Sequence, residues 1–362
     1  MRVTIVTQGS EENGSAYFRA LQYAPLLAQQ GLDVVPLPAA VARRRVSGRA
    51  GAALLAAEHG GRCLRRAIQL ERQIADSDVV FIQRGAYPIG PQSLLRSVLR
   101  HRGRVVFDLD DATFLPTPTL AHRARLARWV YADRQAQALL ERADAVIVSS
   151  PELDAVLPGR RADVILPTIP DVWDYPTAVH DEAQPLRLGW IGSHGNVRYL
   201  EPLRDVLGGL ARDGVAVLEV VSAAPWAGPA SFRRWERSTE GKSVAGFEVG
   251  LMPLPADPYT QAKAGFKLLQ YMAAGCAVIA SPVGINSWLV RESGAGLLAS
   301  TPGEWERAIR ELAADPARRA EYGADAQRFV RRYADRERHA DVLAAVLSGR
   351  PVASAVEPAR HG

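Results

Sequence analysis

Short apolar runs rich in Val and Ile alternate along the chain with longer stretches whose apolar residues have helical spacing. In the first half the predicted strands are Val3–Thr7, Val34–Leu37, Val79–Gln83, Val105–Asp108, Ala145–Ser149 and Val164–Leu166. Helices are predicted between them, at about 15–30, 50–76, 91–101, 121–142 and 151–157. Because strands that alternate with helices form parallel sheets covered on both faces, this half is predicted to be Rossmann-like.

The alternation weakens at 171–185, where prolines and acidic residues predict a linker, and then starts again. The second series predicts strands at Leu186–Ile191, Val215–Val221, Phe247–Leu254 and Ala277–Ser281, and helices at about 196–212, 263–274, 303–314 and 316–333.

The predicted architecture is therefore α/β, with an N-terminal Rossmann-like domain over 1–170 and a C-terminal one over 186–335. We expect a last helix, 336–348, to pack back toward the N-terminal domain, and 349–362 to be a frayed tail. Ligands of open α/β sheets bind outside the carboxyl ends of the strands. Candidate site residues should therefore follow strands and line a cleft between the two halves.

Composition narrows the function classes. The chain has 362 residues, 48% of them hydrophobic and 23% charged, which is typical of soluble globular proteins. No apolar run reaches the ~18 residues that span a bilayer, and the first residues are not expected to form a signal peptide. Cys63 and Cys276 have no metal-ligand spacing, so a reduced cytoplasmic setting is expected. The net charge of +5 suits phosphorylated ligands, anionic lipid or nucleic acid, but no nucleic-acid-binding signature is present.

The segment from Gly250 to Asn286 carries the strongest chemical signal. It is predicted to contain a helix whose amino end, with its N–H groups and two lysines, would seat a diphosphate. Gln270, one turn after Lys267, could hydrogen-bond sugar or ribose hydroxyls. The alternative is a surface helix with two solvated lysines. The candidate donor-binding residues here are Lys263, Gly265, Phe266, Lys267, Leu268 and Gln270.

This segment resembles the donor-binding motif of retaining GT-B glycosyltransferases of family 4, often written P-x-K-L-x-E-Y-M-A-x-G-x-P-V-I-A-S. The stretch KLLQYMAAGCAVIAS, from Lys267 to Ser281, matches most of it. The resemblance implies a GT-B fold, in which two Rossmann-like doubly wound domains face an interdomain cleft. It also implies transfer of a sugar, with retention, from a nucleoside diphosphate sugar to a hydroxyl acceptor.

In that reaction Lys267 would be catalytic, by stabilising charge on the leaving diphosphate. The family's paired glutamates fall on Ala262 and Gln270. The chain therefore resembles a branch of the family with an altered motif, or an inactive relative. The resemblance implies no required metal or other cofactor.

Two further stretches could complete the donor pocket. The turn within GWIGSHGN follows a strand, and amides at Gly192 and Ser193, with His194 beside them, could cradle a phosphate. Met252 and Pro253 either wall the nucleobase or sugar or are ordinary core.

The sharpest feature of the first half is FDLDDATF, which places Asp108, Asp110 and Asp111 at the end of a strand. Such packed carboxylates repel one another unless something uses or neutralises them. Asp110 and Asp111 are the preferred catalytic candidates, as acid, base or contact to the acceptor hydroxyl, and Asp108 is a candidate contact to the acceptor in the cleft. A divalent metal site or a simple turn with a helix cap are the alternatives. Arg84 could pair with these carboxylates or bind an anion.

The loop GSEENGSAYFR joins the first strand to the first helix. The resemblance implies that Gly14 lies near the donor phosphates and sugar. Ser15 either contacts ligand there or caps the helix, and Arg19 faces the cleft or solvent.

The region 43–72 is rich in arginine, with small apolar residues between. It is either a solvated helix face or a peripheral contact with anionic membrane, at the inner face, which would favour a lipid-linked acceptor. The expected partners are a nucleotide sugar and a hydroxyl acceptor, not nucleic acid. The competing hypothesis is a non-catalytic GT-B-like subunit that binds a nucleotide sugar or a partner protein. A nicotinamide dehydrogenase ranks low, since no GxGxxG follows a predicted strand.

Overall fold

The structure, a computed structural model, describes residues 1–38, 61, 65–85, 93–115, 133–182 and 185–352. It divides into two compact units. The first unit comprises Met1–Pro167 and Arg336–Gly362, and the second comprises Thr168–Asp335. The first parts of the helices predicted at about 50–76 and 121–142 lie outside the described residues, as does most of the arginine-rich region 43–72.

The first unit contains a parallel six-stranded sheet. Its strands are β1 (Arg2–Thr7), β2 (Asp33–Pro38), β3 (Val79–Gln83), β4 (Arg104–Leu109), β5 (Ala145–Val148) and β6 (Val164–Ile165). The helices with defined bounds are α1 (Gly14–Arg19), α2 (Ala24–Gln29), α3 (Ser93–Leu99), α4 (Asp133–Arg142) and α5 (Pro151–Ala155), with a 3-10 turn at Leu21–Tyr23 and helical residues at 65–75. The strand order is β2-β1-β3-β4-β5-β6, the doubly wound arrangement. All of β3 is buried, as expected for parallel strands covered on both faces.

The second unit also contains a parallel six-stranded sheet. Its strands are β7 (Leu186–Ile191), β8 (Ala216–Ser222), β9 (Ser231–Arg234), β10 (Val249–Met252), β11 (Ala277–Ala280) and β12 (Gly296–Leu298). Its helices are α6 (Arg204–Arg212), α7 (Glu240–Val244), α8 (Pro258–Gln261), α9 (Phe266–Ala273), α10 (Asn286–Ser293), α11 (Pro302–Ala314) and α12 (Pro316–Tyr333), with 3-10 helices at Val172–Asp174, His194–Leu203 and Arg237–Thr239. The order β12-β11-β10-β7-β8-β9 is that of the Rossmann fold, and its direction reverses between β7 and β10. That pair of strands is the switch point, where such sheets bind ligands.

The last helix, α13 (Arg336–Leu347), belongs to the first unit although it follows the second in sequence. It packs against α2 and β4. The Arg104 Nε donates to the Val346 carbonyl oxygen at 2.9 Å, and the Gln30 side chain donates to Asp341 at 2.8 Å. The segment before β7 packs on the second unit, where the Ala178 N–H donates to the Ala274 carbonyl at 2.7 Å.

Most strands lie within one or two residues of their predicted positions, but β9 and β12 were not predicted. Every residue of β9 is exposed, so its sequence SFRR has no apolar alternation that could indicate a strand. Strand β12 has only three residues. The helix predicted at 15–30 is interrupted by the 3-10 turn, and α2 has Pro25 in its first turn, where proline is well tolerated.

Aromatic rings lie directly on glycines of the second sheet. A Cβ added at Gly250 would overlap the Tyr271 ring, so only glycine lets α9 approach β10 this closely. The Tyr271 hydroxyl donates to the Leu251 carbonyl at 3.1 Å and accepts from the Ile191 N–H at 3.1 Å. It therefore bonds both strands of the switch point and fixes α9 against them.

We expect Gly250→Ala to lower the free energy of unfolding by about 1–3 kcal/mol, the usual cost of overpacking a closely packed core. Urea unfolding followed by circular dichroism measures it. The matched control is Gly209→Ala in α6, where an added Cβ meets nothing closer than 4.0 Å. It should leave stability unchanged or raise it by up to about 1 kcal/mol through helix propensity. Equal stability of the two variants would show that the ring does not depend on the glycine.

Candidate functional site

The amino end of α9 lies at the carboxyl edge of the second sheet, because this helix follows β10. Gly265 caps the helix with a φ of 66°, in the left-handed region that favours glycine. A Cβ added there would lie 2.5 Å from the Leu289 Cδ1, so the packing of Leu289, as well as the backbone conformation, favours glycine at this position. The first turn of a helix presents N–H groups and a partial positive charge, so this end suits an anion.

Lys267 lies beside the turn that follows β7. A Cβ added at Gly192 would lie 2.7 Å from the Lys267 Cε, so the lysine stem passes over the glycine backbone. The Lys267 ammonium lies 5.4 Å from the centre of the Trp190 ring, and the Lys263 ammonium lies 4.5 Å from that of Tyr259. The structure thus brings together two parts of the predicted donor site that are far apart in sequence.

The turn after β7 differs in one respect from its predicted role. The Gly192 N–H donates to the Val221 carbonyl at 3.1 Å, which extends the sheet. The expectation that this amide cradles a phosphate is therefore wrong, because the N–H already has a backbone acceptor. Ser193 and His194 are exposed and begin a 3-10 helix, and their contact with a ligand stays a prediction.

Three apolar side chains among the predicted donor-binding residues are buried. Leu268 is 0% exposed and its N–H donates to the Gly265 carbonyl at 2.9 Å, so the prediction of ligand contact is wrong for this residue. Met252 is 3% exposed and Pro253 is also buried, which agrees with the alternative that both are ordinary core.

Gln270 is 4% exposed and belongs to a buried polar network. Its Nε2 donates to Glu240 Oε1 at 2.7 Å and to the Tyr175 hydroxyl at 3.3 Å. Glu240 also accepts from the Tyr175 hydroxyl and, at 2.7 Å, from the Trp235 Nε1. Burial raises the pKa of Glu240, and the hydrogen bonds from Tyr175, Trp235 and Gln270 offset part of that rise. The Gln270 amide nitrogen thus donates to two protein acceptors. Its predicted hydrogen bond with a sugar or ribose hydroxyl stays a prediction.

In the first unit, Asp110 is the centre of a network at the carboxyl ends of β3 and β4. The Ser15 hydroxyl donates to Asp110 Oδ2 at 2.6 Å, and the Gln83 amide donates to the Ser15 hydroxyl at 2.7 Å. The Arg84 guanidinium donates to both oxygens of Asp110, with Nη2 2.8 Å from Oδ2, and lies 3.6 Å from Asp111. Although burial acts to raise it, the Arg84 charge and the hydrogen bonds from Arg84 and Ser15 hold the pKa of Asp110 below its usual range.

The cap of α1 is Asn13, whose side chain accepts from the Ala16 N–H at 3.0 Å. The alternative that Ser15 caps this helix is therefore wrong, since Ser15 lies within the first turn and bonds Asp110. Gly14 is the first residue of α1, where its contact with a donor stays a prediction.

Arg84 has a φ of 62°, which is rare for a residue with a side chain and is found at functional sites. In this conformation its N–H donates to the Asp108 carbonyl at 2.7 Å while its side chain reaches Asp110. Of the two expectations for Arg84, pairing with the carboxylates is confirmed.

Arg19 and Asp108 form a buried ion pair. They are 3% and 1% exposed, and the Arg19 Nε lies 2.8 Å from both oxygens of Asp108. Arg19 also donates to the Leu166 carbonyl. The predictions that Arg19 faces the cleft or solvent and that Asp108 contacts an acceptor are wrong, because each side chain is used by the other. Within the described ranges, no group of three His, Cys, Asp or Glu side chains is arranged to hold a metal ion.

Sequence reasoning missed the residues that position this site. Trp190, at the end of β7, could have been recognised as an aromatic residue beside a glycine turn. Tyr271 lies inside the matched motif, but its two strand contacts have no sequence signal. Glu240 lies in a stretch, 223–243, that has no regular apolar pattern.

The second of the two Rossmann-like units has a cationic helix end at its switch point, where open α/β sheets bind ligands. No family model matches the sequence, and no curated protein matches it. Solved structures do match the fold of this chain, and each match covers nearly the whole length of both chains. Sucrose-phosphate synthase from Thermosynechococcus elongatus is 14% identical, covers 96% of this chain and 99% of its own, and has a TM-score of 0.67.

HepE from Anabaena, in complex with UDP and glucose, is 15% identical, covers 96% of this chain and 99% of its own, and has a TM-score of 0.64. An alpha-glucosyltransferase in complex with UDP-glucose and DNA containing an abasic site is 14% identical, covers 91% and 95%, and has a TM-score of 0.59. These neighbours are GT-B glycosyltransferases. The GT-B fold class predicted from the sequence is confirmed.

The buried pair in the first unit gives a pH-dependent prediction. We expect Arg19→Met to lower the free energy of unfolding by about 3–5 kcal/mol, because Asp108 is left as an unpaired buried charge. The control is Arg2→Met, which removes an exposed partner of Asp33 and should change stability by less than about 1 kcal/mol. Urea unfolding at pH 5 and pH 8 measures both.

Burial raises the pKa of Asp108 to about 6, against about 3.9 for an exposed aspartate, and Arg19 limits that rise. An acid whose pKa is raised by folding stabilises the protein when protonated, and this stability is lost as pH rises through the folded-state pKa. In the wild type this loss of stability ends near pH 6, the folded-state pKa of Asp108. Without Arg19 the pKa of Asp108 rises further, so the loss of stability continues to higher pH. The deficit of Arg19→Met should therefore be larger at pH 8 than at pH 5, and a pH-independent deficit would contradict this account.

Proposed function

We propose that this protein is a glycosyltransferase that moves a sugar from a nucleoside diphosphate sugar to a hydroxyl acceptor, with retention. The acceptor is a glycan, a lipid-linked sugar or a small molecule. The observation that carries the proposal is the position of Lys267, at the amino end of α9 and against Gly192, at the switch point of a Rossmann-order sheet. Phosphates bind such a helix end because its amides and a neighbouring lysine attract them.

Negative charge builds on the diphosphate as the bond to the sugar breaks. Lys267 and the α9 amino end stabilise that charge without reorganising, and stabilisation of this kind contributes most of the rate enhancement in many enzymes. The Trp190 ring holds the ammonium in place through a cation–π interaction, typically worth about 0.5–1 kcal/mol. The lysine therefore acts as an electrostatic catalyst in this mechanism.

Asp110 and Asp111 are proposed to act on the acceptor. Because Arg84 and Ser15 hold the pKa of Asp110 below its usual range, this carboxylate is ionised at neutral pH and is a weak base. Its role is therefore to orient an acceptor hydroxyl by accepting a hydrogen bond, and full proton removal is left to another group, such as the leaving phosphate.

The structural neighbours indicate which donors to test first. HepE binds UDP with glucose, and the alpha-glucosyltransferase binds UDP-glucose, so UDP-sugars have priority. That second protein is also in complex with DNA. For this chain we propose a hydroxyl acceptor other than nucleic acid, since its sequence carries no nucleic-acid-binding signature.

No metal or other cofactor is proposed to be required, because Lys267 and the helix end supply the positive charge. No helix among the described residues is long and apolar enough to cross a bilayer. We propose a cytoplasmic protein, with the arginine-rich region 43–72 as a peripheral contact for anionic membrane.

A second candidate is a non-catalytic subunit that binds a nucleotide sugar. It is favoured by the absence of a carboxylate at Ala262, which is 0% exposed, and at Gln270. It shares the binding step with the first candidate and differs only in turnover.

Replacing Lys267 tests the proposal. We expect Lys267→Ala to lower kcat by about 100-fold or more, the usual loss when one group that stabilises transition-state charge is removed. Transfer or donor hydrolysis, followed by release of the nucleoside diphosphate, measures it. The wild-type protein should also unfold at a higher temperature when the correct donor is present, because the ligand binds only the folded state.

The matched control is Lys242→Ala, which removes an exposed lysine of α7. Its kcat should equal that of the wild type. Full turnover by Lys267→Ala would reject the assigned role. Donor binding without any turnover by the wild type would select the non-catalytic candidate.

A further inference from the structure

Glu240 is a buried carboxylate that the proposed reaction does not use. It begins α7 and is 4% exposed. It accepts hydrogen bonds from Tyr175, Trp235 and Gln270. These donors come from three other parts of the second unit: the segment before β7, the chain after β9, and α9. Glu240 therefore joins α9 to the rest of this unit through hydrogen bonds.

The carboxylate dictates which way the Gln270 amide points. An ionised carboxylate only accepts hydrogen bonds, so Gln270 must turn its Nε2 toward Glu240. Both hydrogens of Nε2 then have acceptors, Glu240 Oε1 at 2.7 Å and the Tyr175 hydroxyl at 3.3 Å. The Oε1 of Gln270 is the part of the amide left for a ligand. Position 270 consequently offers an acceptor and no donor.

The same contact explains why position 270 holds glutamine. A glutamate there would bring a second carboxylate to the 2.7 Å contact with Glu240, where two like charges repel strongly. Within this network the negative charge lies on α7, one hydrogen bond away from position 270. Gln270 lies one turn after Lys267 on α9, so the network also fixes the helix that carries the lysine.

We propose that Glu240 is a positioning residue for the nucleotide sugar: it locks Gln270 so that its Oε1 accepts from a hydroxyl of the donor. This inference rests on the proposed function. Glu240 touches no substrate in this arrangement and acts through Gln270. The hydroxyl of the nucleotide sugar thereby donates its hydrogen bond to a polarised amide oxygen instead of to a carboxylate.

The test exchanges the two side chains. Gln270→Glu alone sets two carboxylates against each other and should raise the KM for a UDP-sugar by about 10-fold to 100-fold, the range for a lost hydrogen bond to a charged group. Glu240→Gln alone should raise the KM by a smaller factor, because an amide that turns its oxygen to Trp235 leaves its nitrogen facing the Gln270 Nε2, donor to donor. The double variant Glu240→Gln with Gln270→Glu restores a donor–acceptor pair and should return the KM to within about 3-fold of the wild type.

Glu236→Gln is the matched control, since it makes the same chemical change at an exposed position nearby, and its KM should not change. Urea unfolding of each variant separates stability from binding. If Gln270→Glu loses stability but keeps the wild-type KM, the network is only structural and the inference is overturned. If the double variant recovers stability without recovering KM, it is overturned too.

The outcomes also separate this inference from the proposed function. A wild-type protein that neither binds nor turns over any UDP-, GDP-, ADP- or dTDP-sugar rejects the function, and the inference with it. A wild type that binds a donor, together with a Gln270→Glu variant of equal affinity, rejects the inference alone.

Discussion

The hydroxyl of Tyr271 is the contact on which the donor-side geometry depends. It bonds the backbones of β7 and β10 at once, at the strand pair where the order of the second sheet reverses. Because Gly250 lets the ring lie on the sheet, α9 cannot slide along β10 without breaking both bonds. A helix held this way keeps its amino end at the carboxyl edge, and the lysine one residue into it reaches the turn after β7. The position of Lys267 is thus a consequence of a packing constraint four residues further along the helix.

Local patterns predicted the parts of the fold that depend on local chemistry. Apolar runs such as 79–83 and 186–191 became strands at the predicted bounds, since burial on both faces of a parallel sheet requires such runs. The edge strand β9 has the opposite composition, because an exposed edge needs no apolar side chains, and no sequence pattern marks it. Short helices such as α7 also escaped prediction, because five residues are too few to show a helical period.

In the candidate site, too, residues whose position depends on local structure could be predicted, and residues whose position depends on tertiary contacts could not. Gly265 and Lys267 could be placed from sequence because a helix amino end follows from a strand, a loop and a periodic segment. The partners of Asp108 and Gln270 could not, since they lie 89 and 30 residues away and pair through tertiary contacts. A run of aspartates looks like an exposed acidic site until Arg19 and Arg84 are found against it. Sequence indicates which charges need a partner, and only the fold decides whether that partner is a ligand or another side chain.

The two units treat charge at their strand ends differently, and that difference bears on function. In the first unit Arg19 and Arg84 lie against carboxylates, so the field that an approaching ligand would sense from them is largely cancelled. In the second, the Lys267 ammonium lies 5.4 Å from the centre of the Trp190 ring, and such a cation–π contact positions a cation. An ion pair suits a rigid surface that orients a hydroxyl, whereas a cation held on a ring suits the binding of an anion. Because a diphosphate gains negative charge as its bond to the sugar breaks, these electrostatics are what the proposed reaction requires of the second unit.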